Sequence, residues 1–245
     1  GGEVFGAVLL AFDVTEQAEA ERMRREFTAN VSHELKTPLQ SIIGSVELLE
    51  NDLVQPEDRP RFLGRIHQEA QRLVSLINDI LGLSQLDEGA AMPRESVSLL
   101  SLAQEAAASL SAAAQAQNVT LTVNGTAGTL TGVRRLLSET VRNLCENAVK
   151  YNVPGGSVTV TVAETPQAVT LTVADTGIGI PPADQSRVFE RFYRVDKSHS
   201  RAIGGTGLGL SIVKHAVAYH HGTVQLDSTP GQGTVITVTL PKDAA

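Results

Sequence analysis

The sequence contains almost no cysteine and no long apolar run. Its single cysteine, Cys145, excludes an internal disulfide framework and favours a reducing compartment. The longest apolar run, VFGAVLLAF at residues 4–12, falls far short of the ~20 residues that a membrane-spanning helix needs. The chain opens GGEVFG without a charged start, so we expect no signal peptide and a fragment of a longer protein. We also expect this fragment to make no direct contact with a membrane.

Positive charge is scarce as well. The formal net charge is −7, whereas a protein that binds duplex nucleic acid normally carries a basic patch on a basic domain. Hydrophobic residues make up 42% and charged residues 19% of the 245 residues, which is ordinary for a soluble globular protein. We therefore expect one or two domains with proper cores, and no nucleic-acid partner.

Residues 15–87 have the pattern of two long amphipathic helices joined by a turn. The first runs from Thr15 to about Asp52, VQPEDRP is the turn, and the second helix ends near Leu86. Apolar residues alternate at spacings of four and three, namely Leu35, Leu39, Ile42, Val46, Leu49 and Leu53, then Ile66, Ala70, Leu73, Ile77 and Ile80. A helical hairpin cannot cover both apolar rows alone. We therefore expect a homodimer in which two hairpins form a four-helix bundle.

A histidine and a proline stand out in the first helix, within SHELKTPL. On a helical wheel His33 lies about 160° and Thr37 about 200° from the apolar row, so both face away from it. Geometry alone leaves a plain surface histidine equally open. Pro38, however, costs a helix interior ~3 kcal/mol and cannot donate to the carbonyl of Glu34, so we expect a local bend that exposes the imidazole. Glu34 can hold the proton of one ring nitrogen and leave the other nucleophilic.

Beyond a linker predicted at residues 88–95, the pattern changes to mixed helices and strands. Helices are predicted at about 98–116, at 134–151, in VFERFYR and in GLGLSIVKHAVAYH. Strands are predicted for VTLTV, SVTVTVA, AVTLTVAD, GTVQLDS and GTVITVTL. This order indicates an α/β sandwich with one helical layer over residues 96–242.

Polar side chains recur on one face of the helix that contains NLCENAVKY. Asn143 and Asn147 lie one turn apart, followed by Lys150 and Tyr151. Stacked amide side chains can hold Mg²⁺ directly or through water, and a lysine one turn further on can reach a phosphate. Asparagine is a poor residue for a helix interior, so the pair needs a reason. Taken alone, the pattern fits a plain polar stripe equally well.

Two glycine-rich segments follow. In DTGIGIP, Asp175 ends a strand and can accept from an exocyclic amine, while Gly177 and Gly179 let the backbone approach a flat ring. GGTGLGL at 204–210 opens a helix with free amides, which suits a phosphate, but it lacks the lysine of a P-loop. The stretch 181–205 between them carries the cations Arg187, Arg191, Arg194, Lys197 and Arg201. It is interpreted as a lid over an anionic ligand, with a solvated loop as the alternative.

The order of these motifs resembles the bacterial sensor histidine kinases of two-component signalling, from about Glu26 to Leu240. NLCENAVKYN and RVFERFYRVDKSHS are most similar to the phosphate-regulon-type kinases. The strand before DVTEQ is similar to the exit of a PAS sensor domain, so residues 1–14 are expected to be the C-terminal end of such a domain. The resemblance also implies that residues 96–242 form the ATPase fold shared by gyrase, chaperones and histidine kinases.

The resemblance implies a role for each motif. His33 would be the phosphoacceptor, Glu34 its hydrogen-bonding base, and Thr37 the residue used to hydrolyse the phosphoaspartate of a partner. Asn147 would bind Mg²⁺ with support from Asn143. The implied ATP-binding set is Asn143, Asn147, Lys150, Tyr151, Asp175, Gly177, Gly179, Tyr193, Arg194, Gly205, Thr206, Gly207, Leu208 and Gly209. One departure is Gly132, where the family commonly has an aspartate; we interpret this position as a helix cap.

The implied function is an ATP:protein-histidine phosphotransferase whose partners are a second copy and the receiver domain of a response regulator. The fragment would be cytoplasmic, and the full-length protein anchored in the bacterial cell membrane. A non-kinase ATP-driven clamp of the same fold is the first rival, but it does not explain an outward histidine before a helix-interior proline. The second rival is a degenerate scaffold that binds a regulator without catalysis, against which Asn147, Asp175 and Gly207 argue.

Overall fold

The computed structural model describes residues 13–87, 92–195 and 205–242. The chain divides into two compact units, Gly1–Leu73 and Val74–Ala245. The strand predicted as the exit of a PAS domain, at residues 1–14, lies outside the described residues except for Asp13 and Val14. None of the helices that the structure describes is both long and apolar enough to span a bilayer.

The predicted helical hairpin is confirmed. Helix α1 spans Thr15–Glu50 and helix α2 spans Arg59–Asp87. Helix α1 ends where the amide of Asn51 donates to the carbonyl of Glu47 at 3.1 Å. Pro38 lies inside α1, which continues as a helix on both sides of it. The proline therefore removes one backbone donor without ending the helix.

Apolar side chains of the first unit remain largely exposed in the single chain. Leu39 is 49%, Ile43 47%, Leu53 70% and Leu63 59% exposed. Leu39 and Leu53 belong to the apolar row that the sequence predicts for the first helix. Several large apolar side chains on one hairpin are costly to leave in water, so this unit has an uncovered apolar surface.

The second unit contains the remaining elements. They are β1 Glu95–Ser98, α3 Leu99–Ala116, β2 Thr120–Gly125, β3 Thr129–Gly132, α4 Arg134–Lys150, β4 Ser157–Glu164, β5 Ala168–Asp175, α5 Pro182–Gln185, α6 Gly209–Tyr219, β6 Thr223–Thr229 and β7 Gly233–Pro241. Five strands form one mixed sheet in the order β2-β4-β5-β7-β6, in which only β2 and β4 are parallel.

Alternation along the strands sets the faces of this sheet. Val158, Val160 and Val162 of β4 are buried in one apolar cluster with residues of α3, α4 and α6. Thr159 lies on the opposite face, where its hydroxyl accepts from Thr122 of β2 at 3.4 Å. The predicted α/β sandwich with one helical layer is therefore confirmed.

Two local features differ from the sequence prediction. Strands β1 and β3 pair as a separate two-stranded sheet, and β1 begins at Glu95, inside the stretch predicted as a linker. The predicted helix in VFERFYR is wrong, because this segment forms turns. Phe192 there adopts a φ of 63°, and its amide donates to the carbonyl of Gly207 at 2.8 Å instead of continuing a helix.

Candidate functional site

The exposed histidine of α1 is where the sequence predicts it. His33 and Thr37 are both exposed, and the Thr37 hydroxyl donates to the carbonyl of His33 at 3.2 Å. The next residue, Pro38, has no amide to donate to the carbonyl of Glu34. The turn that carries His33 therefore has one backbone hydrogen bond fewer than a regular helix, and its imidazole is open to a partner.

Glu34 is directed toward the second helix of the hairpin. Its Oε2 lies 3.4 Å from Nη2 of Arg72 on α2, and both side chains are partly buried. This ion pair fixes the carboxylate next in sequence to the histidine. Its predicted bond to the imidazole would need a change of rotamer and stays a prediction.

Helix α4 brings Asn143 to the start of α6, and Asn147, partly buried, lies one turn further along α4. Asn143 is 8% exposed, and its Nδ2 is buried with no protein partner among the described residues. A Cβ on Gly209, the first residue of α6, would lie 3.0 Å from Oδ1 of Asn143. Because Gly209 has no side chain, the side-chain amide of Asn143 can lie close to the glycine-rich segment. A buried donor without a partner is costly, so a ligand oxygen or a water at Nδ2 would stabilise the site.

Lys150 and Tyr151 bring the C-terminal end of α4 against both glycine segments. A Cβ on Gly205 would lie 2.7 Å from Nζ of Lys150, and that ammonium lies 5.4 Å from the centroid of the Tyr151 ring. The carbonyl of Tyr151 accepts from the amide of Ile178 at 3.1 Å. A Cβ on Gly177 would lie 2.3 Å from the same carbonyl oxygen, so no side chain fits there. Burial raises the pKa of Tyr151, and the nearby charge of Arg194 opposes that shift.

Asp175 lies at the end of β5, as predicted. Its Oδ1 accepts from the amides of Gly177 at 2.8 Å and Thr234 at 3.2 Å. Burial raises the pKa of this carboxyl, and the two amide donors partly offset that effect. Both of the hydrogen bonds that the described residues make to the carboxylate use Oδ1. Oδ2 can therefore accept from a ligand.

The backbone around the pocket needs glycine at two further positions. Gly179 has a φ of 69°, and a Cβ there would lie 2.2 Å from the carbonyl oxygen of Thr229. Gly207 has a φ of 72°, and its Cβ would lie 2.9 Å from Cα of Phe192. A side chain at either position would meet both backbone strain and a collision.

The structure describes the first part of the predicted lid, where side chains of the lid contact one another. The hydroxyl of Tyr193 donates to Asp184, which is the main reason that its pKa is raised. The guanidinium of Arg187 lies 4.2 Å from the centroid of the Tyr193 ring. Lys197 and Arg201 of the predicted lid lie outside the described residues. The predicted nucleotide contacts of Tyr193 and Arg194 stay predictions.

Thr206 and Leu208 of the glycine-rich segment have different surroundings. The Thr206 hydroxyl donates to Oδ2 of Asp79 at 3.0 Å and accepts from the amide of Leu208 at 3.2 Å. The side chain of Leu208 is fully buried, so only its main chain can face a ligand. Asp79 is a residue that the sequence did not single out, because its partner lies 127 positions away.

A second residue missed from the sequence, His220, lies buried at the other end of α4 and α6. Its Nε2 accepts from the amide of Val133 at 2.9 Å, and its Nδ1 donates to the carbonyl of Ala216 at 2.7 Å. The interpretation of Gly132 as a helix cap is wrong: the N-cap of α4 is Val133, and it is the amide of this N-cap residue that donates to the imidazole. A Cβ on Gly132 would lie 3.0 Å from Nε2, so glycine makes room for the ring. Burial lowers the pKa of His220.

Two protein-family models match successive parts of the chain. The His Kinase A (phospho-acceptor) domain matches residues 23–89, which include His33. The histidine kinase-, DNA gyrase B-, and HSP90-like ATPase matches residues 132–244, which include Asn143, Asp175 and the glycine-rich segment. The described α/β sandwich is therefore the ATPase domain of this class, and the hairpin is its phospho-acceptor domain.

Named relatives agree with the models. Sensor-like histidine kinase SenX3 of Mycolicibacterium smegmatis is 39% identical over 242 residues, which are 96% of this chain and 62% of that protein. Sensor histidine kinase WalK of Bacillus subtilis is 38% identical over 98% of this chain and 40% of its own length. The solved structure of the mycobacterial sensor histidine kinase MprB, 31% identical, covers 61% of this chain and 97% of its own, with a TM-score of 0.52.

The chain belongs to the sensor histidine kinases of bacterial two-component signalling. It spans 62% of the length of SenX3 and 40% of the length of WalK.

Proposed function

We propose that this chain transfers the γ-phosphoryl group of ATP to His33 and then passes it to an aspartate of a response-regulator receiver domain. The observation that carries the proposal is the exposed imidazole of His33 within the matched phospho-acceptor domain, in the same chain as a matched ATPase domain. The first rival, an ATP-driven clamp, has no use for such a histidine. The second, an inert scaffold, has no use for Nδ2 of Asn143 or for Oδ2 of Asp175, which make no hydrogen bond to the residues that the structure describes.

The pocket residues divide the recognition of ATP among them. Asp175 would accept from the exocyclic amine of adenine through Oδ2, while Gly177 and Gly179 let the backbone lie against the ring. Lys150 would neutralise phosphate charge, and the amides at the start of α6 would donate to phosphate oxygens. Positioning and charge neutralisation of this kind supply most of the catalysis in phosphoryl transfer.

The residues present fit a Mg²⁺ ion held together with the nucleotide. Among the described residues there is no cluster of three or more His, Cys, Asp or Glu side chains able to hold a metal. Mg²⁺ takes oxygen ligands, keeps several waters and is commonly completed by substrate phosphates, so two amide oxygens are sufficient protein ligands. Asn147, supported by Asn143, would hold the ion, which would offset negative charge on the transferring group.

At the acceptor, this chain's own residues would prepare the imidazole. His33 attacks as the neutral ring, so one nitrogen must be free of its proton and the other must keep one. Glu34, released from Arg72, would hold that second proton. The missing backbone bond at Pro38 would allow this turn to bend as the ATPase domain delivers the phosphoryl group.

We also propose that the chain works as a homodimer built through residues 15–87, as the exposed apolar side chains of that hairpin favour. The solved structure of the histidine kinase ThkA, which shares the fold at 22% identity with a TM-score of 0.66, contains ThkA in complex with the response regulator protein TrrA. That complex supports a receiver domain as the partner. As in its family, the whole protein would be anchored in the bacterial cell membrane, with this part in the cytoplasm.

A phosphatase activity toward the regulator is a second proposed activity. Thr37 is exposed one turn after His33, so its hydroxyl would meet an acyl phosphate docked over the imidazole. Thr37→Ala should spare the uptake of phosphate from ATP and slow the loss of phosphate from a phosphorylated regulator, whereas Thr37→Ser should keep both. Equal loss of both rates in the alanine variant would make Thr37 structural, and no loss of either would remove the phosphatase role.

The test of the kinase proposal is direct. The chain is mixed with Mg-ATP labelled at the γ-phosphate, and the label on the protein is tested for lability in acid and stability in base. An acid-labile phosphate is expected. Binding or hydrolysis of ATP without any label on the protein would favour the clamp, and no binding of ATP at all would favour the scaffold.

A further inference from the structure

A buried carboxylate of α2 holds the glycine-rich segment of the nucleotide pocket. Asp79 belongs to the part of α2 that lies in the second unit, and it is 7% exposed. Its Oδ2 accepts from the hydroxyl of Thr206 at 3.0 Å. A carboxylate is rarely buried without a cation, yet none of the ion pairs between the described residues includes Asp79. The Thr206 hydroxyl is thus the principal partner of this charge.

The surroundings offer this carboxylate little other compensation for its charge. Burial, aided by the like charges of Glu139 and Glu146, raises the pKa of Asp79 to about 6, while the hydrogen bond from Thr206 and, to a smaller extent, the charge of Arg142 oppose the shift. Arg142 is itself paired with Glu146 at 2.9 Å. The ionised carboxylate therefore depends on the Thr206 hydroxyl, and losing that donor while the carboxylate stays buried is costly.

Other side chains keep the same part of α2 in place. Leu83 is fully buried, and Leu86 packs against the apolar cluster of Val133, Leu136 and Ala216. Arg135 of α4 donates to the side-chain oxygen of Gln85. The α2 segment thus has its own packing, and the bond from Thr206 to Asp79 adds a link from that segment to the pocket.

The Thr206 hydroxyl can serve only one acceptor at a time. A hydroxyl has a single proton to donate, and here it is donated to Asp79 while the oxygen accepts from Leu208. A phosphate oxygen is also an acceptor. A nucleotide phosphate that takes the Thr206 proton must therefore break the bond to Asp79.

We propose that Asp79 is a positioning residue that competes with the phosphates of the bound nucleotide for the hydroxyl of Thr206. Without a nucleotide, the segment 205–209 is tied to α2; with a triphosphate bound, the tie is released. The proposal rests on the proposed function, because it requires that this pocket bind ATP. It makes the contact between α2 and the glycine-rich segment depend on whether the pocket is loaded.

The competition predicts a gain in affinity that is specific to phosphates. Asp79→Ala should bind AMPPNP with Mg²⁺ about tenfold more tightly than the unaltered chain, since a hydrogen bond to a charged group no longer has to be broken. Asp79→Asn, whose amide oxygen still accepts but carries no charge, should give a smaller gain. Adenosine, which has no phosphate to compete for Thr206, should bind all three proteins equally. Calorimetry on the full chain measures each dissociation constant.

Gln85→Ala is the matched control, because it removes another polar contact of the same α2 segment without touching Thr206. It should leave the affinity for AMPPNP unchanged. Equal affinities of the Asp79 variants and the unaltered chain would overturn the proposal, and so would an equal gain for adenosine or in Gln85→Ala. Failure of the unaltered chain to bind AMPPNP would instead overturn the proposed function, and the competition with it.

Discussion

The two units of the chain solve the problem of burying apolar surface in different ways. In the first unit Leu39 is 49% and Leu53 70% exposed, and Val54 is a rare buried apolar side chain. In the second unit Val158 and Val160 are fully buried between the sheet and its helices. The second unit therefore carries its own core, whereas the first must be completed by another surface.

The same difference separates the two chemical sites. His33 lies on an exposed helical face, where neighbours constrain it little. Asp175 and Asn143 are held by backbone amides, a close glycine and the packing of several elements. A substitution at the acceptor should therefore affect chemistry alone, while one in the pocket affects chemistry and local structure together.

The largest effect is expected at the acceptor. His33→Gln should abolish phosphorylation of the chain by Mg-ATP and leave the affinity for AMPPNP unchanged, because His33, the proposed acceptor, belongs to the matched phospho-acceptor domain and not to the matched ATPase domain. His67→Gln, which alters another exposed histidine of the hairpin, is the control and should keep full phosphorylation. Label remaining on the His33 variant would assign the acceptor to a different residue.

The next largest effect is expected on the stability of the proposed homodimer, at the exposed apolar side chains of the first unit. Leu39→Asp should weaken the proposed homodimer by several kcal/mol, roughly the cost of burying an unpaired carboxylate where an apolar side chain packed. Gln40→Asp, at the neighbouring exposed position, should leave it intact. Light scattering over a concentration series measures the dimer, and an unaltered chain that stays monomeric would refute the four-helix bundle.

In the pocket, Asp175→Asn should weaken AMPPNP binding by about 1–3 kcal/mol, the range for a lost hydrogen bond to a charged group. The amide of asparagine must also turn a donor toward either the adenine amine or the amides of Gly177 and Thr234, so it cannot satisfy both. Asp227→Asn, on an exposed position of β6, is the control. Unchanged affinity by calorimetry would remove Asp175 from the adenine site.

The sequence predicts secondary structure correctly where the alternation of apolar and polar residues is repeated within one element. Strands β4 and β5 alternate over eight residues each, and both were predicted within one residue of their ends. Strands β1 and β3 have four residues each, too few for alternation to be recognised. VFERFYR has the composition of a helix. The amide of Phe192, however, donates to the carbonyl of Gly207, which is distant in sequence, and not to a carbonyl of the preceding turn.

Site residues follow the same rule. The exposure of His33 and the place of Asp175 at the end of β5 could be predicted, because each belongs to a short motif that lies on one predicted element. Asp79 and His220 could not, since their partners Thr206 and Val133 are 127 and 87 positions away. Gly132 gave a misleading signal, because it was interpreted as a helix cap, whereas the N-cap of α4 is Val133.

The smallest predicted effect concerns His220 at the start of α4. With its pKa lowered by burial, His220 is neutral in the folded chain, while in the unfolded chain its pKa is about 6.5. Below that pH the unfolded chain binds the proton more readily, so the free energy of unfolding should fall as the pH drops below about 6.5 and be fully retained above it. Protonation also turns Nε2 into a donor that faces the amide of Val133, which breaks the cap of α4.

His220→Gln should remove this part of the pH dependence and cost about 1 kcal/mol at neutral pH, the typical value of a buried hydrogen bond. His221→Asn is the matched control: it alters the neighbouring exposed histidine, and asparagine tolerates the φ of 56° at that position. Denaturant unfolding at a series of pH values, each variant compared with the unaltered chain, measures the effect. If the curve of the His220 variant runs parallel to that of the unaltered chain between pH 7.5 and 5, the imidazole is not the acid-sensitive cap of α4. In that case the second unit would owe its pH dependence to carboxylates such as Asp79, whose raised pKa acts with the opposite sign: its cost to the folded chain grows as the pH rises from about 3.9, the pKa of an unfolded aspartate, to about 6, and is complete above that.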